Sequence, residues 1–235
     1  MNMLILGGTG GIGSALIKHV LKQPNVTKVY ATFHTQPPSL TDPRLQWFKV
    51  DITQEAAIAH LAEHIPSLTF LINTIGILHT KEAQPEKSLK SFESEFFKHN
   101  INTNALPSIL LAKYFSCHLR QDQQTYFISF SAKIGSITDN HLGGWISYRA
   151  SKAALNMALK TISIEWRHQL PQCTVIAFHP GTTETSLSQP FQKNVPRQKL
   201  FTPDYVAQCL TDLIQRLKPQ DTGTFFSYTG RPIPW

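Results

Sequence analysis

The chain has 235 residues, 22 Lys+Arg against 15 Asp+Glu for a formal charge of +7, and 41% hydrophobic residues. A chain this long buries roughly 70–75% of the surface its unfolded form exposes, which suits one large domain or two small ones. An ordinary apolar content without low-complexity tracts excludes global disorder. Its longest apolar runs, such as residues 69–78, fall short of the about 20 residues that span a bilayer. No basic segment or small-residue cleavage site marks a secretory leader, so a cytoplasmic protein is expected.

Strand-like runs alternate with helix-like stretches along the chain. Residues 2–6 read as a strand, followed by glycines and a helix carrying Ala15, Leu16, Ile17, Val20 and Leu21. Further strands are predicted at 26–33, 45–50, 68–72, 124–130, 174–178 and 224–228. Helices are predicted at 53–64, 92–119, 147–169 and 203–217. This alternation predicts an α/β fold, a doubly wound parallel sheet of about seven strands with helices on both faces. No linker or repeat interrupts it, so residues 1–235 form a single domain. Residues 182–200, with Pro190 and Pro196, form the least regular stretch and read as a mobile loop, with a substrate loop at about 182–202.

The first strand runs into Gly7-Gly8-Thr9-Gly10-Gly11-Ile12-Gly13, and a helix follows at once. Glycines allow a tight turn and close backbone approach to a pyrophosphate, and the helix N-terminus offers unpaired N–H groups with a partial positive charge. Three spacings fit the same glycines: G-x-x-x-G-x-G, G-x-G-x-x-G and G-x-x-G-x-x-G. The turn therefore says nucleotide without naming the family. A site for NAD places an acid near the end of the second strand to bind the ribose. Here that end, Ala31-Thr32-Phe33-His34-Thr35, has none. With Thr32 and His34 as donors for a 2′-phosphate, NADP(H) is favoured over NAD(H).

Tyr148 and Lys152 stand four residues apart on one helix face. A phenol with a pKa near 10 is a poor acid-base group at neutral pH until a nearby ammonium stabilises its anion. Such a pair can exchange a proton with a carbonyl or hydroxyl. With the glycine turn upstream, the chain resembles a short-chain dehydrogenase/reductase of the single-domain, Rossmann-type kind, from end to end. Residues 4–13 match the family's glycine turn. Asp51-Ile52 stands where the family contacts adenine. Asn73-Thr74-Ile75-Gly76 resembles the Asn-Asn-Ala-Gly motif. The segment Ile101-Asn102-Thr103-Asn104 resembles the helix that supplies the catalytic Asn, at Asn104. Pro180-Gly181 and Thr185 match the motif at the nicotinamide end, and the tail 230–235 is similar too. Residues 135–157 look closest to bacterial members near the C-factor and carbonyl-reductase branch.

The chain departs from that pattern in places. Leu6 replaces a common Thr, and Thr74 and Ile75 replace Asn and Ala, which is expected to loosen side-chain hydrogen bonding. The family's catalytic Ser lies three residues before a Gly, and counting back from Gly135 gives Ala132. Ser131 is the favoured substitute, with Ser136 next and no serine at all as the alternative. Adjacent strand residues face opposite sides, so Ser131 serves only if the strand end bulges or twists.

The resemblance implies reversible NAD(P)(H)-linked interconversion of a carbonyl and an alcohol. Tyr148 would act as general acid-base, and Lys152 would bind the nicotinamide ribose and lower the Tyr148 pKa. Ser131 would orient the carbonyl, and Asn104 would hold a water for proton relay. A regulatory or signalling protein that binds NAD(P) with little turnover is the alternative. The substrate wall is expected from Leu142, Gly143, Gly144, Trp145 and Leu187, Phe191, Val195 and Leu200, an apolar set or simply loop packing. The family's habit of pairing through long helices implies a homodimer or homotetramer, with Phe96, Phe97, Ile101, Ala105 and Ile109 as an apolar stripe. The scattered basic residues give no footprint for nucleic acid. Cys117, Cys173 and Cys209 read as reduced thiols. His60 and His64 share a helix face without an obvious third ligand, so no metal is expected.

Overall fold

The computed structural model describes all 235 residues apart from the side chain of Asn194. Seven strands form one parallel sheet: β1 (Asn2–Leu6), β2 (Lys28–Phe33), β3 (Leu45–Lys49), β4 (Phe70–Asn73), β5 (Thr125–Phe130), β6 (Cys173–His179) and β9 (Thr224–Ser227). Their spatial order is β3-β2-β1-β4-β5-β6-β9. The order reverses between β1 and β4, where a crevice opens at the carboxyl ends of the strands. The central strands are almost wholly apolar, as strands covered on both faces must be.

Two helices, α1 (Gly11–Val20) and α6 (Pro203–Ile214), cover one face of the sheet. The other face carries α2 (Glu55–Glu63), α3 (Ser94–Asn104), α4 (Leu106–Phe115) and α5 (Ile146–Gln169). Phe178 sits in the first core and Phe127, Phe115 and Trp166 in the second, all nearly or fully buried. The long helix expected over 92–119 is two helices. The break falls at Ala105 (φ −112°, ψ −53°), beside Pro107 in the first turn of α4. A proline is tolerated there because that N–H has no helical partner, but not further into a helix.

The irregular stretch after β6 has more order than its composition suggests. Its ends, β7 (Thr182–Thr183) and β8 (Leu200–Phe201), pair in parallel as a separate two-residue ribbon, with 3₁₀ turns at Gln189–Asn194 and Arg197–Lys199 between them. The loop is thus clamped at its base. Trp235 is likewise fixed, stacked on Phe225 at 5.6 Å. Among the described residues, no helix is long and apolar enough to cross a membrane. All three cysteines are free thiols.

Candidate active site

A cleft of about 510 Å³ lies at the reversal point of the sheet. The glycine turn forms one end and Tyr148, Lys152 and the loop after β6 form the other. Gly7 adopts φ +79°, and a Cβ on Gly13 would sit 2.2 Å from the Gly7 carbonyl oxygen. These positions admit no side chain, so the bare backbone and the first turn of α1 face the cleft. That cradle, with no acidic side chain in the first turn of α1, fits a pyrophosphate. Gly10, Gly11 and Ile12 line it, and Thr185 lines it close against Gly11, where a Cβ would lie 2.8 Å from the Thr185 methyl.

The turn is held from behind. Thr32 is 2% exposed, and its hydroxyl accepts from the Gly7 N–H at 3.1 Å. Thr32 is therefore a brace for the turn and is not open to a 2′-phosphate, which corrects the role expected for it. Thr74 does not loosen this region as expected. Its hydroxyl donates to the Leu6 carbonyl at 2.7 Å and ties β4 to β1. Asn73 accepts from the Ile75 N–H and donates to Ser108 Oγ, both at 3.1 Å.

The expected adenine-side residues lie outside the cleft lining. His34 is exposed and stands 3.9 Å from the Asp51 carboxylate. Hydrogen bonds from Thr53 hold the Asp51 carboxyl below the usual range. Ile52 is buried in the core, and Thr9 is exposed.

At the chemical end, α5 presents Tyr148 and Lys152 one turn apart, 8% and 3% exposed. The Lys152 Nζ lies 5.8 Å from the centre of the Tyr148 ring and donates to the Phe130 carbonyl at 3.0 Å. Burial lowers the ammonium from 10.5 to about 8. Burial also pushes the phenol above its ordinary value of 10, the reverse of the lowering expected from Lys152. The phenol is therefore kept protonated at neutral pH, while most of the lysine still carries its charge. Gly76 lets the loop after β4 approach this pair. A Cβ there would lie 3.1 Å from both Lys152 Nζ and Asn104 Oδ1. Asn104 accepts from the Ile77 N–H at 2.8 Å and donates to the Ile77 carbonyl and to Ser151 Oγ. It thereby staples that loop to α3 and α5.

Ser131 does not meet the expectation placed on it. It is 4% exposed, and its hydroxyl donates to Asn156 Oδ1 at 2.6 Å, two helical turns beyond Tyr148. Ser131 and Ala132 both line the cleft, but the Ser131 hydroxyl is spent on Asn156 of α5, and Ala132, partly buried, carries no hydroxyl. Ser136 is buried and accepts from the Asp139 N–H.

Pro180 and Gly181 line the cleft, as do Trp145, Leu187, Phe191 and Val195. Phe191 packs on Trp145 at 5.0 Å and on His79 at 5.9 Å. Leu142 and Leu200 are not in this wall: Leu142 is 92% exposed. Gly143 and Gly144 line a separate hollow of about 250 Å³. On the far surface, Glu63 joins His60 and His64 in an exposed cluster whose ligand-type atoms lie within 4.8 Å. The i,i+3 spacing of His60 and Glu63 is the signal in the chain that could have found it.

Against known proteins, residues 1–196 match the family model for short chain dehydrogenases. The chain belongs to the short-chain dehydrogenase family. As an oxidoreductase of this family it is similar to an uncharacterized oxidoreductase of Saccharomyces cerevisiae, 29% identical over 96% of this chain and 94% of that one. It is 33% identical to C-signal of Myxococcus xanthus over 56% of this chain and 74% of that one. Carbonyl reductase Sniffer of D. melanogaster shares its fold with a TM-score of 0.87 at 23% identity, covering 100% and 99% of the two chains. An NADPH-bound carbonyl reductase from chicken fatty liver does so with a TM-score of 0.86 at 24% identity, covering 100% and 94%. In a short-chain dehydrogenase, a cleft at the reversal point of the sheet is where a dinucleotide is expected to lie.

Proposed function

We propose that this protein is an NADP(H)-preferring reductase of carbonyl compounds, working reversibly on the matching alcohols, with Tyr148 as its proton donor. The observation that supports it is one cleft with a bare-backbone anion cradle at one end and a buried, protonated phenol beside an ammonium at the other. The bound nicotinamide would supply the hydride. Gly7, Gly10, Gly11, Ile12 and Gly13 hold the pyrophosphate. Lys152, Pro180, Gly181 and Thr185 hold the nicotinamide end, and Asn73 and Gly76 shape the loop beside it. NADP(H) is favoured because the end of β2 carries no acid and His34 is exposed there to face a phosphate; the chicken relative carries NADPH.

Tyr148 donates its proton to the carbonyl oxygen as the alcohol forms, and the Lys152 charge stabilises the phenolate left behind. Asn104 holds the loop at Gly76 against Lys152 and lies on the route by which a proton returns from solvent. Since the Ser131 hydroxyl is committed to Asn156, the phenol is the side-chain donor at the carbonyl. Leu187, Phe191, Val195 and Trp145 form an apolar substrate wall. The reading includes a cytoplasmic enzyme paired through its long helices. Ile109 on α4 and Met157 and Ile164 on α5 are 44%, 66% and 53% exposed.

A second reading rests on Ala132: a cleft without the serine hydroxyl suits an NAD(P)-binding regulatory protein with little turnover. Titrating NADPH and NADH by fluorescence and following nicotinamide absorbance with aldehydes and ketones separates the two. The enzyme reading expects NADPH to bind more tightly and para-nitrobenzaldehyde to be reduced. Tight NADPH binding with no carbonyl turned over, unchanged by Tyr148→Phe, would leave the regulatory reading.

A further inference from the structure

The turn that launches α5 is the least ordinary backbone in the molecule. Gly143, Gly144 and Trp145 take φ values of +65°, +67° and +52°, and Trp145 is the one non-glycine residue with positive φ among the described residues. A bulky residue in that region is strained and persists only where its surroundings hold it. Trp145 is also the N-cap position of α5, where a Ser, Thr, Asp or Asn would normally accept from the first free N–H groups. Its indole cannot, and the first turn carries no acid. The helix that bears Tyr148 and Lys152 therefore lacks a local cap.

The cap comes from 61 residues upstream. Glu86 lies in the long loop between β4 and α3 and is 3% exposed. Its carboxylate accepts from the Ser147 N–H at 3.2 Å and, closely, from the Ser147 hydroxyl. Its backbone carbonyl accepts from the Trp145 N–H at 2.5 Å. None of the ion pairs among the described residues includes Glu86. The positive end of α5 is then its counter-charge. Arg149 completes the frame by donating to the Gly143, Gly144 and Ile134 carbonyls.

Burying a carboxylate is costly unless it is hydrogen-bonded, and both hydrogen bonds to this one come from the residue next to Tyr148. We propose that Glu86 is a positioning residue, a remote N-cap that fixes the start of α5 and so sets Trp145 in the cleft wall and the Tyr148 phenol at the substrate oxygen. This inference rests on the reading of Tyr148 as the proton donor. A displacement of about 1 Å at a reacting group costs on the order of 100-fold in rate, so the effect should fall on kcat.

The test compares Glu86→Ala, Glu86→Gln and Tyr148→Phe in the full chain, with NADPH and para-nitrobenzaldehyde as probes. Glu86→Ala should lower kcat about 10- to 100-fold while KM, NADPH affinity and NADPH stoichiometry stay within about twofold. Glu86→Gln keeps one acceptor oxygen and should recover most of that loss. Hydrogen exchange should quicken in Glu86→Ala at residues 146–150 and stay unchanged at the glycine turn. The proposal is overturned if kcat falls only in proportion to the NADPH-binding fraction, or if exchange at 146–150 is unaltered in both Glu86 variants. If Tyr148→Phe keeps full activity, the proton-donor reading fails, and the exchange result still judges the cap.

Discussion

The two ends of the cleft are built on opposite plans. At the nucleotide end, consecutive residues offer bare backbone, and the side chains that matter (Thr32 and Thr74) stand behind it as braces. At the other end, Tyr148 and Lys152 of α5, Ala132 after β5 and Phe191 in the loop after β6 arrive from three separate segments. Two of them are titratable groups that burial displaces in opposite directions. An anion site made of N–H groups keeps its polarity at any pH. A proton-transfer site depends on how deeply its groups are buried, so packing at a distance reaches its chemistry.

Substitutions at the two ends should therefore fail differently. The largest effect is expected from Tyr148→Phe, which removes the proposed proton donor and should cut kcat about 10²- to 10⁴-fold with NADPH affinity retained, as steady-state kinetics and fluorescence titration would show. Equal loss of binding would mean that the two ends are not separable. Gly13→Ala is the converse, since its Cβ would meet the Gly7 carbonyl oxygen at 2.2 Å. NADPH binding, read by fluorescence, should weaken at least about 100-fold, because the backbone cradle itself must shift.

The pH dependence of the reduction step belongs to the chemical end. Reduction should fall as pH rises through about 8, where Lys152 loses its charge, while binding of the pyrophosphate portion, probed with ADP, stays flat. The same lysine has a signature in stability. The folded chain binds fewer protons than the unfolded one between about 8 and 10.5, so stability rises with pH in that window. Below it, the charged form carries a penalty of about 3 kcal/mol. The unfolding free energy of Lys152→Met relative to the parent, from urea titrations without cofactor, should be most favourable at neutral pH and decline towards pH 10.

Ser131→Ala should leave kcat within about twofold while costing about 1 kcal/mol of stability in urea, through the lost bond to Asn156. A large drop in kcat would return Ser131 to the chemistry. The smallest effect is expected from His34→Ala, a few-fold weakening of NADPH relative to NADH by fluorescence titration, because an exposed histidine interacts with a phosphate in high dielectric.

Much of this architecture is legible in the order of residues along the chain. The glycine turn is local: strand, turn and helix lie within 20 residues, and the chemistry is that of the backbone. Tyr148 and Lys152 are legible because four residues make one helical turn. Ser131 is easily misjudged because the hydroxyl's partner, Asn156, is on another element. Thr32 reads as a donor to ligand because sequence shows a hydroxyl at a strand end and not that it is 2% exposed. Glu86 looks like any loop glutamate, since nothing in the chain's order says that it reaches residue 147.

The sequence by itself showed the strand–helix alternation, the glycine turn and the Tyr–Lys spacing, because each depends on residues within a turn or a pleat of one another. Only the tertiary structure decided which hydroxyl braces and which faces the cleft, where Ala132 stands, and what caps α5. Those answers depend on burial and on partners tens of residues away, and a buried polar group takes its role from whichever neighbour satisfies it.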